Sequence, residues 1–193
     1  MAAEGPGALQ VLLTRRSVPA LQLQEPGPSQ QQIDFAVDAA LRAPDHGNLK
    51  PWRCALIRGT ARQHLSDLFV SRMQQRQPPA PAGKIEKART MPLTAPLTIA
   101  IAARVRQDKV PEIEQLLSGA AATMNLMNAF QAQGFATIWL TGPNAYDPQI
   151  AAALGFAIDE RCLGFVYVGT GAWPEGSAPP KVDRAQHVRD WSG

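Results

Sequence analysis

The chain has 193 residues, 45% of them hydrophobic, which is enough for one domain with a full core. We therefore expect a single domain, residues 1–193. Its 19 basic and 16 acidic residues give a net charge of +3 without a long basic run, which argues against a nucleic-acid-binding protein. The N-terminal residues do not form a secretory signal and no apolar run is long enough to span a bilayer, so we expect the protein in the cytoplasm and away from membranes.

The first predicted helix covers residues 8–14 and is followed by Arg15, Arg16 and Ser17. Two guanidinium groups and a hydroxyl at adjacent positions suit a phosphate, because they can form charge-assisted and partly bidentate hydrogen bonds. The alternative interpretation is a pair of solvated arginines near a helix C-terminus.

The second predicted helix begins at a capping box made by Ser29 and Gln32, and its apolar residues recur with helical spacing up to Leu41. Pro44 ends this helix because proline cannot continue it.

The turn at residues 42–52 connects this helix to a predicted strand at 52–57. It carries Arg42, His46 and Lys50 and is closed by Trp52. Such a group of polar and cationic side chains suits an anionic planar ligand. The alternative is an ordinary helix-to-strand turn with solvated side chains.

The middle of the chain combines helices, a loop and a buried strand. Thr60 and Gln63 predict a second capping box, and a Pro-rich loop at 77–83 precedes a short charged helix at 84–90. Residues 95–103 are apolar throughout, which is typical of a central strand covered on both faces.

The longest predicted helix covers residues 111–133 and ends at Gly134. It is apolar nearly all round, which predicts that every face is buried. In a chain of this length we expect a second copy to cover the surplus face, and the alternative is the core helix of a monomer.

The last third of the chain contains two predicted strands, residues 135–142 and 161–169, and a short helix at 148–154 capped by Asp147. Trp139 and Thr141 lie near the end of the first strand, where backbone donors can meet a flat ring. The tail carries Lys181 and Arg184, for which a solvated tail is the alternative interpretation.

Several common sites are not predicted. The histidines His46, His64 and His187 lack metal-ligand spacing, so we expect no metal site. Phosphate-binding glycine motifs and nucleophile elbows do not occur in the sequence. Cys54 and Cys162 lie in apolar strand-like runs, so we expect reduced core residues.

Three segments taken together resemble the nitroreductase family. They are Arg15-Arg16-Ser17 with the leucines before them, the turn from Arg42 to Trp52, and the stretch Gly-Phe-Ala-Thr-Ile-Trp-Leu-Thr-Gly at residues 134–142. Their order and spacing match as well as their residues. The resemblance covers nearly the whole chain and is greatest to the small single-domain YdjA-like NAD(P)H nitroreductases.

The resemblance implies an α+β fold with a central, mostly antiparallel sheet flanked by helices, in an intertwined homodimer with FMN at the interface. It also implies two-electron reduction of nitroaromatic, quinone or similar electron-poor acceptors by NAD(P)H in a ping-pong mechanism. The residues that it places around FMN are Arg15, Arg16, Ser17, Trp139, Leu140 and Thr141, together with Arg42 and His46 of the other subunit. Those that it places near the nicotinamide cofactor are Ala129, Phe130, Gln131, Ala132, Gln133 and Gly134.

Some positions depart from the family pattern. Leu140 stands where close relatives carry arginine, and Lys50 stands where glutamine is common, so one cation is lost near the flavin and another is gained. Lys181 and Arg184 resemble phosphate contacts of larger relatives. His46 is the candidate proton donor, although it can instead orient the flavin while solvent supplies protons. Rival functions are a flavin-binding sensor or carrier without turnover and a structural dimer without cofactor.

Overall fold

The computed structural model describes residues 7–171 and 182–193. The α-helices in these ranges are α1 (Ala8–Thr14), α2 (Gln30–Ala40), α3 (Ala61–Gln75), α4 (Ala82–Thr94), α5 (Glu112–Ala132) and α6 (Pro148–Ala153). The strands are β1 (Trp52–Arg58), β2 (Leu97–Arg104), β3 (Ala136–Leu140) and β4 (Glu160–Gly169). Short 3-10 turns cover Ala20–Gln22, His46–Asn48 and Arg184–Gln186.

The strands form one antiparallel sheet in the order β1-β2-β4-β3. Strands β2 and β4 are central, and all of β2 except Arg104 is buried, as a strand covered on both faces requires. Strands β1 and β3 form the two edges. The predicted α+β fold with an antiparallel sheet flanked by helices is confirmed.

Helices cover both faces of the sheet. Alternate side chains of β4 pack against the helices on the two faces, because successive side chains of a strand point to opposite faces of the sheet. Phe165 and Tyr167 pack in the layer of α3 and α4, whereas Val166 and Val168 pack in the layer of α2 and α5. Each large side chain buried in this way contributes about 1.5–3 kcal/mol, so β4 stabilises both layers at once.

Two of the three predicted helix caps are confirmed. The N–H of Gln32 donates to Ser29 Oγ (3.4 Å) and the N–H of Ser29 donates to Gln32 Oε1 (2.9 Å), which completes the capping box of α2. Asp147 caps α6 by accepting from the N–H of Gln149 (3.0 Å). The second capping box is wrong. Thr60 precedes α3 but already has helical backbone angles (φ −66°, ψ −25°), and its side chain makes no capping hydrogen bond.

Other expectations need correction in detail. The charged helix predicted at 84–90 is α4, which is longer and continues through Pro92. The expectation of a core residue is wrong for Cys54, which is exposed on β1, whereas Cys162 is half-buried. Both cysteines are free thiols.

Helix α5 keeps an apolar surface in the single chain. Ile113 and Leu117 are 60% and 58% exposed, so the helix is not buried all round. Leu9 and Leu13 of α1 and Phe35 of α2 are also exposed, and α1, α2 and α5 together line one shallow groove. None of the helices in residues 7–171 and 182–193 has the length and apolarity needed to cross a membrane.

Candidate functional site

Edge strand β3 offers backbone groups that the sheet does not use. The N–H of Val18 donates to the carbonyl of Thr137 (3.0 Å), and Ser17 forms a parallel bridge with the same residue. Because the N–H and C=O of alternate strand residues point the same way, those of Trp139 also point outward, and Thr141 follows the last strand residue, Leu140. Among residues 7–171 and 182–193, the N–H groups of Trp139 and Thr141 take no part in turn or loop hydrogen bonds.

A polar pocket of about 250 Å³ lies at the start of β3. It brings Arg16 together with the C-terminal end of α5, where Gln131 and Gly134 form the opposite wall. Arg15, Arg16 and Ser17 are half-buried. Arg15 Nη1 is buried and has no hydrogen-bond partner among the described residues. An unsatisfied guanidinium nitrogen is costly in a folded chain, so Arg15 lacks an acceptor of the kind that a bound anion could supply.

A second cavity, of about 350 Å³, lies at the other end of β3. Leu140 and Thr141 line it on the strand side. Its remaining walls come from α3, α4, β4 and the segment after β3, and are lined by Phe69, Met73, Arg76, Lys84, Lys87, Ala88, Met91, Pro143, Asn144, Phe165 and Tyr167. The strand therefore connects a cationic pocket to a largely apolar cavity.

Trp139 does not line this cavity. Its indole lies on the opposite face of the sheet, in the layer of α5, and its Nε1 donates to the carbonyl of Leu163 (3.0 Å). Gly164 makes this arrangement possible, because a Cβ there would lie 2.6 Å from Trp139 Nε1 and 2.5 Å from the carbonyl oxygen of Leu140. Gly164 also has φ +130°, which disfavours other residues.

The turn that carries Arg42 and His46 lies near the other end of α5. His46 Nδ1 is 2.6 Å from Glu114 Oε2, and the hydroxyl of Ser118 donates to the carbonyl of Pro44 (2.7 Å). Gly47 adopts φ +76°, as the turn requires. Arg42 and His46 are both exposed.

The two predicted cofactor sets are therefore separated within one chain. Arg16 adjoins Gln131, and His46 adjoins Glu114, on the same helix. With a rise of 1.5 Å per residue, these positions of α5 are about 25 Å apart. The structure does not bring Arg15–Ser17 and Arg42–His46 of one chain together.

The predicted nicotinamide set is divided between the core and the surface. Ala129 and Phe130 are buried in the core, and Ala132 is exposed. Gln133 Nε2 donates to the carbonyl of Gln32 (3.2 Å). Only Gln131 and Gly134 of this set line the polar pocket.

The basic residues of the tail do not reach either cavity in the described part of the chain. Arg184 lies in an exposed 3-10 turn in which the N–H of Ala185 donates to Asp183 Oδ1 (3.1 Å). Lys181 lies outside the described residues.

Three cations of the second cavity, Arg76, Lys84 and Lys87, were not predicted as site residues. The helical spacing of Lys84 and Lys87 with Ala88 and Met91 on α4 is a signal that the sequence contained. A larger apolar cavity of about 560 Å³, around Tyr146 and Phe156, contains none of the predicted site residues.

The buried carboxylate of Asp147 contacts Arg76, a wall residue of the second cavity. Asp147 Oδ2 accepts from Arg72 Nε (2.9 Å) and lies 3.6 Å from Arg76 Nη2. Burial alone would raise the pKa of Asp147, but the hydrogen bonds from Arg72 and from the N–H of Gln149 outweigh it and lower the pKa. Asp147 thus stays ionised at neutral pH and fixes both arginines.

Known proteins resemble this chain in sequence. A sequence profile described as the Nitroreductase family matches residues 12–170. YdjA of Escherichia coli (strain K12), named as an inferred NAD(P)H nitroreductase, is 36% identical over 168 residues, which cover 84% of this chain and 87% of YdjA.

Solved structures share the fold. A nitroreductase-like family protein from Bacillus cereus has a TM-score of 0.82 at 20% identity, over 97% of both chains. A mutant of the FMN- and NADPH-dependent nitroreductase NfnB, from a Sphigopyxis strain, has a TM-score of 0.75 at 19% identity, over 97% of this chain and 100% of NfnB.

Proposed function

This chain belongs to the nitroreductase family, and from that premise we propose that it is an FMN-dependent oxidoreductase that takes electrons from NAD(P)H. The acceptors are nitroaromatics, quinones or similar electron-poor compounds, and the two half-reactions alternate in a ping-pong order. We place the reaction in the cytoplasm.

Edge strand β3 is the observation that carries the proposal. It joins a cationic pocket at Arg16 to a cavity at Leu140 and Thr141. At about 3.3 Å per residue, the five steps from Ala136 to Thr141 span about 16 Å. This separation suits an extended molecule with a phosphate at one end and a ring system at the other.

The residues present fit FMN. The unsatisfied Nη1 of Arg15 supports a phosphate site beside Arg16 and Ser17. The outward N–H groups of Trp139 and Thr141 would donate to the edge of the ring system, and Leu140 would contact its face. We keep Arg184 and Lys181 as further candidates for the phosphate. The clustering of Arg15 and Arg16 for one phosphate and the lack of a dinucleotide motif favour FMN over FAD.

Bound FMN would supply the redox chemistry, by accepting a hydride from NAD(P)H and returning two electrons to the acceptor. For a nitro group the balance is one NAD(P)H and one proton consumed, with a nitroso group, NAD(P)⁺ and water formed. The chain's own residues position the reactants. Met73 and Met91 give the cavity beside Leu140 apolar walls, and we keep Ala129–Gly134 as the segment near the nicotinamide cofactor.

His46 is the proposed orienting group of the turn. Its Nδ1 lies against Glu114 Oε2, and this contact fixes the ring and leaves Nε2 directed elsewhere. We infer that His46 and Arg42 reach FMN across a dimer interface, while solvent supplies the proton.

The separation of the two predicted sets supports a shared site. Since about 25 Å of α5 lies between them in one chain, Arg42 and His46 can meet Arg15–Ser17 only from a second copy. The exposed apolar side chains of α5, Ile113 and Leu117, supply a surface for that copy. An intertwined homodimer meets both requirements.

Colour and bleaching test the proposal. Purified protein should be yellow, and its cofactor, released by heat and separated by chromatography, should be FMN. Anaerobic NADH or NADPH should bleach the colour, and a nitroaromatic or a quinone should restore it. A colourless protein that does not take up FMN would refute the proposal, and a yellow protein that neither donor bleaches would indicate the sensor function instead.

A further inference from the structure

The second cavity is lined by one face of α4. Lys84, Lys87, Ala88 and Met91 follow the spacing i, i+3, i+4 and i+7, which places their side chains on one side of a helix. Ala88 is buried against the core, whereas both lysines are exposed. The lysines therefore lie at the mouth of the cavity, and the apolar residues lie deeper.

The charges of the two lysines are not neutralised within the described part of the chain. Neither Lys84 nor Lys87 forms an ion pair there. Glu86, which lies between them in sequence, pairs with Arg89 (3.3 Å) instead. No carboxylate of residues 7–171 and 182–193 lines the cavity.

Arg76, the third cation of the cavity, is engaged by protein groups. Its Nη2 donates to Asn144 Oδ1 (2.7 Å) and lies 3.6 Å from Asp147 Oδ2. Arg76 is therefore a fixed part of the wall, and Lys84 and Lys87 are the cations that remain available to a ligand.

The deeper walls suit a flat apolar body. Phe69 and Phe165 pack edge to face with centroids 4.9 Å apart, and Tyr167 and Met73 complete the floor. A ligand that fills this cavity would bury an aromatic ring against these side chains and leave one end among the ammonium groups.

We propose that the acceptor of this enzyme is an aromatic compound with an anionic substituent, such as a carboxylate, which Lys84 and Lys87 bind at the cavity mouth. The inference rests on the proposed function, because Leu140 and Thr141 line both this cavity and the proposed FMN position. An acceptor held in this way has its reducible group near the ring system and its negative charge near solvent.

The test compares 4-nitrobenzoate with 4-nitrobenzamide, which has a similar shape and no charge. Holoenzyme without NAD(P)H cannot reduce either compound, so calorimetry gives both dissociation constants. Wild type should bind the carboxylate about tenfold more tightly, and its kcat/KM with NAD(P)H should show the same preference. The Lys84→Gln, Lys87→Gln double variant should lose the preference in both measurements. The Lys109→Gln variant is the matched control, because Lys109 is exposed and does not line this cavity, and it should retain the preference.

Equal binding of the two compounds by wild type, or a preference that survives the double substitution, would overturn the inference. A third outcome would also overturn the inference. If the double variant keeps the acceptor preference but shows a higher KM for NADPH and an unchanged KM for NADH, the lysines bind a phosphate of the electron donor instead. The binding measurement decides the inference even if neither compound is reduced, and that absence of turnover would count against the proposed function alone.

Discussion

Ser17 and Thr137 form a parallel bridge that covers only the first half of the free edge of β3. The hydrogen bond from Val18 to Thr137 fixes the segment after α1 beside the strand. Beyond it lie Trp139 and Thr141, whose N–H groups we propose as donors to the ring system. The same short strand thus positions Arg16 at one end and these proposed donors at the other.

Gly164 sets the position of the end of β3, and we predict that Gly164→Ala disturbs it. The new Cβ would lie 2.5 Å from the carbonyl oxygen of Leu140, at a φ of +130°. We expect a loss of about 3 kcal/mol in the free energy of unfolding and weaker FMN binding. Urea denaturation and a flavin titration measure the two effects.

Gly155→Ala is the control for this prediction. Gly155 also has a positive φ (+84°), but a Cβ there meets nothing within 4 Å. Gly155→Ala should lower the free energy of unfolding by about 1 kcal/mol through backbone strain and leave FMN binding intact. Equal losses for the two variants would show that contact with β3 is unimportant.

The dimer surface is tested by Leu117→Arg. Leu117 is 58% exposed in the single chain, so arginine can be accommodated there without disturbing the fold of one subunit. In a dimer the charge would be buried without a partner, which should weaken association by about 3 kcal/mol. Sedimentation equilibrium should detect monomers, and the protein should lose its flavin.

Leu93→Arg is the matched substitution, since Leu93 is 39% exposed and lies on α4, in the layer on the opposite face of the sheet from α5. This variant should remain dimeric. If the Leu117 variant also remains dimeric and yellow, the interface lies elsewhere.

Mixed dimers test whether each site uses two chains. One variant carries Arg15→Ala with Ser17→Ala, the other carries Arg42→Ala with His46→Ala, and each should bind flavin poorly. After dissociation and random reassociation of equal amounts, a shared site predicts that about one quarter of all sites recover flavin. Flavin absorbance per chain measures the recovery.

As the control, each variant is dissociated and reassociated with itself, and this should restore no flavin binding. No recovery in the mixture would mean that each site is built from a single chain.

Asp147 predicts a specific pH dependence of stability. The pKa of Asp147 is lower in the folded state than in the unfolded state, where it is about 4. Its contribution to the free energy of unfolding is therefore complete above the unfolded-state pKa and is lost as the pH falls through the folded-state pKa. Asp147→Asn leaves Arg72 and Arg76 without their carboxylate and should cost about 2 kcal/mol at pH 7. The difference from wild type should shrink below pH 4 in urea titrations.

Asp159→Asn is the comparison, because Asp159 pairs with Arg104 at the surface. Its effect at pH 7 should be smaller, since solvent screens that pair. A difference between wild type and the Asp147 variant that stays constant from pH 7 to pH 3 would contradict the assignment.

Local signals were enough to predict the elements of the fold. The capping box at Ser29, the stop at Pro44 and the apolar run that became β2 depend on neighbouring residues, and the structure places the helices and strands accordingly. Thr60 shows where such signals fail. Its hydroxyl does not cap α3 because its backbone angles are already helical, and the local sequence does not reveal those angles.

Site residues were harder to predict because their arrangement depends on packing. The residue pattern did not show that the indole of Trp139 turns to the α5 face, since that depends on Gly164 and the carbonyl of Leu163. For Lys84 and Lys87 the sequence predicts only a short charged helix. Only the tertiary position of α4 shows that their helix face lines a cavity.

The half-covered edge of β3 also has a consequence for handling the protein. Free strand edges invite pairing with other chains, and proteins normally cover or charge them. If FMN lies along the outer half of β3, it also shields that edge from self-association. Stripping the cofactor should then expose Trp139 and Thr141 to edge-to-edge pairing, so light scattering by the apoprotein should rise on standing and fall again when FMN is restored.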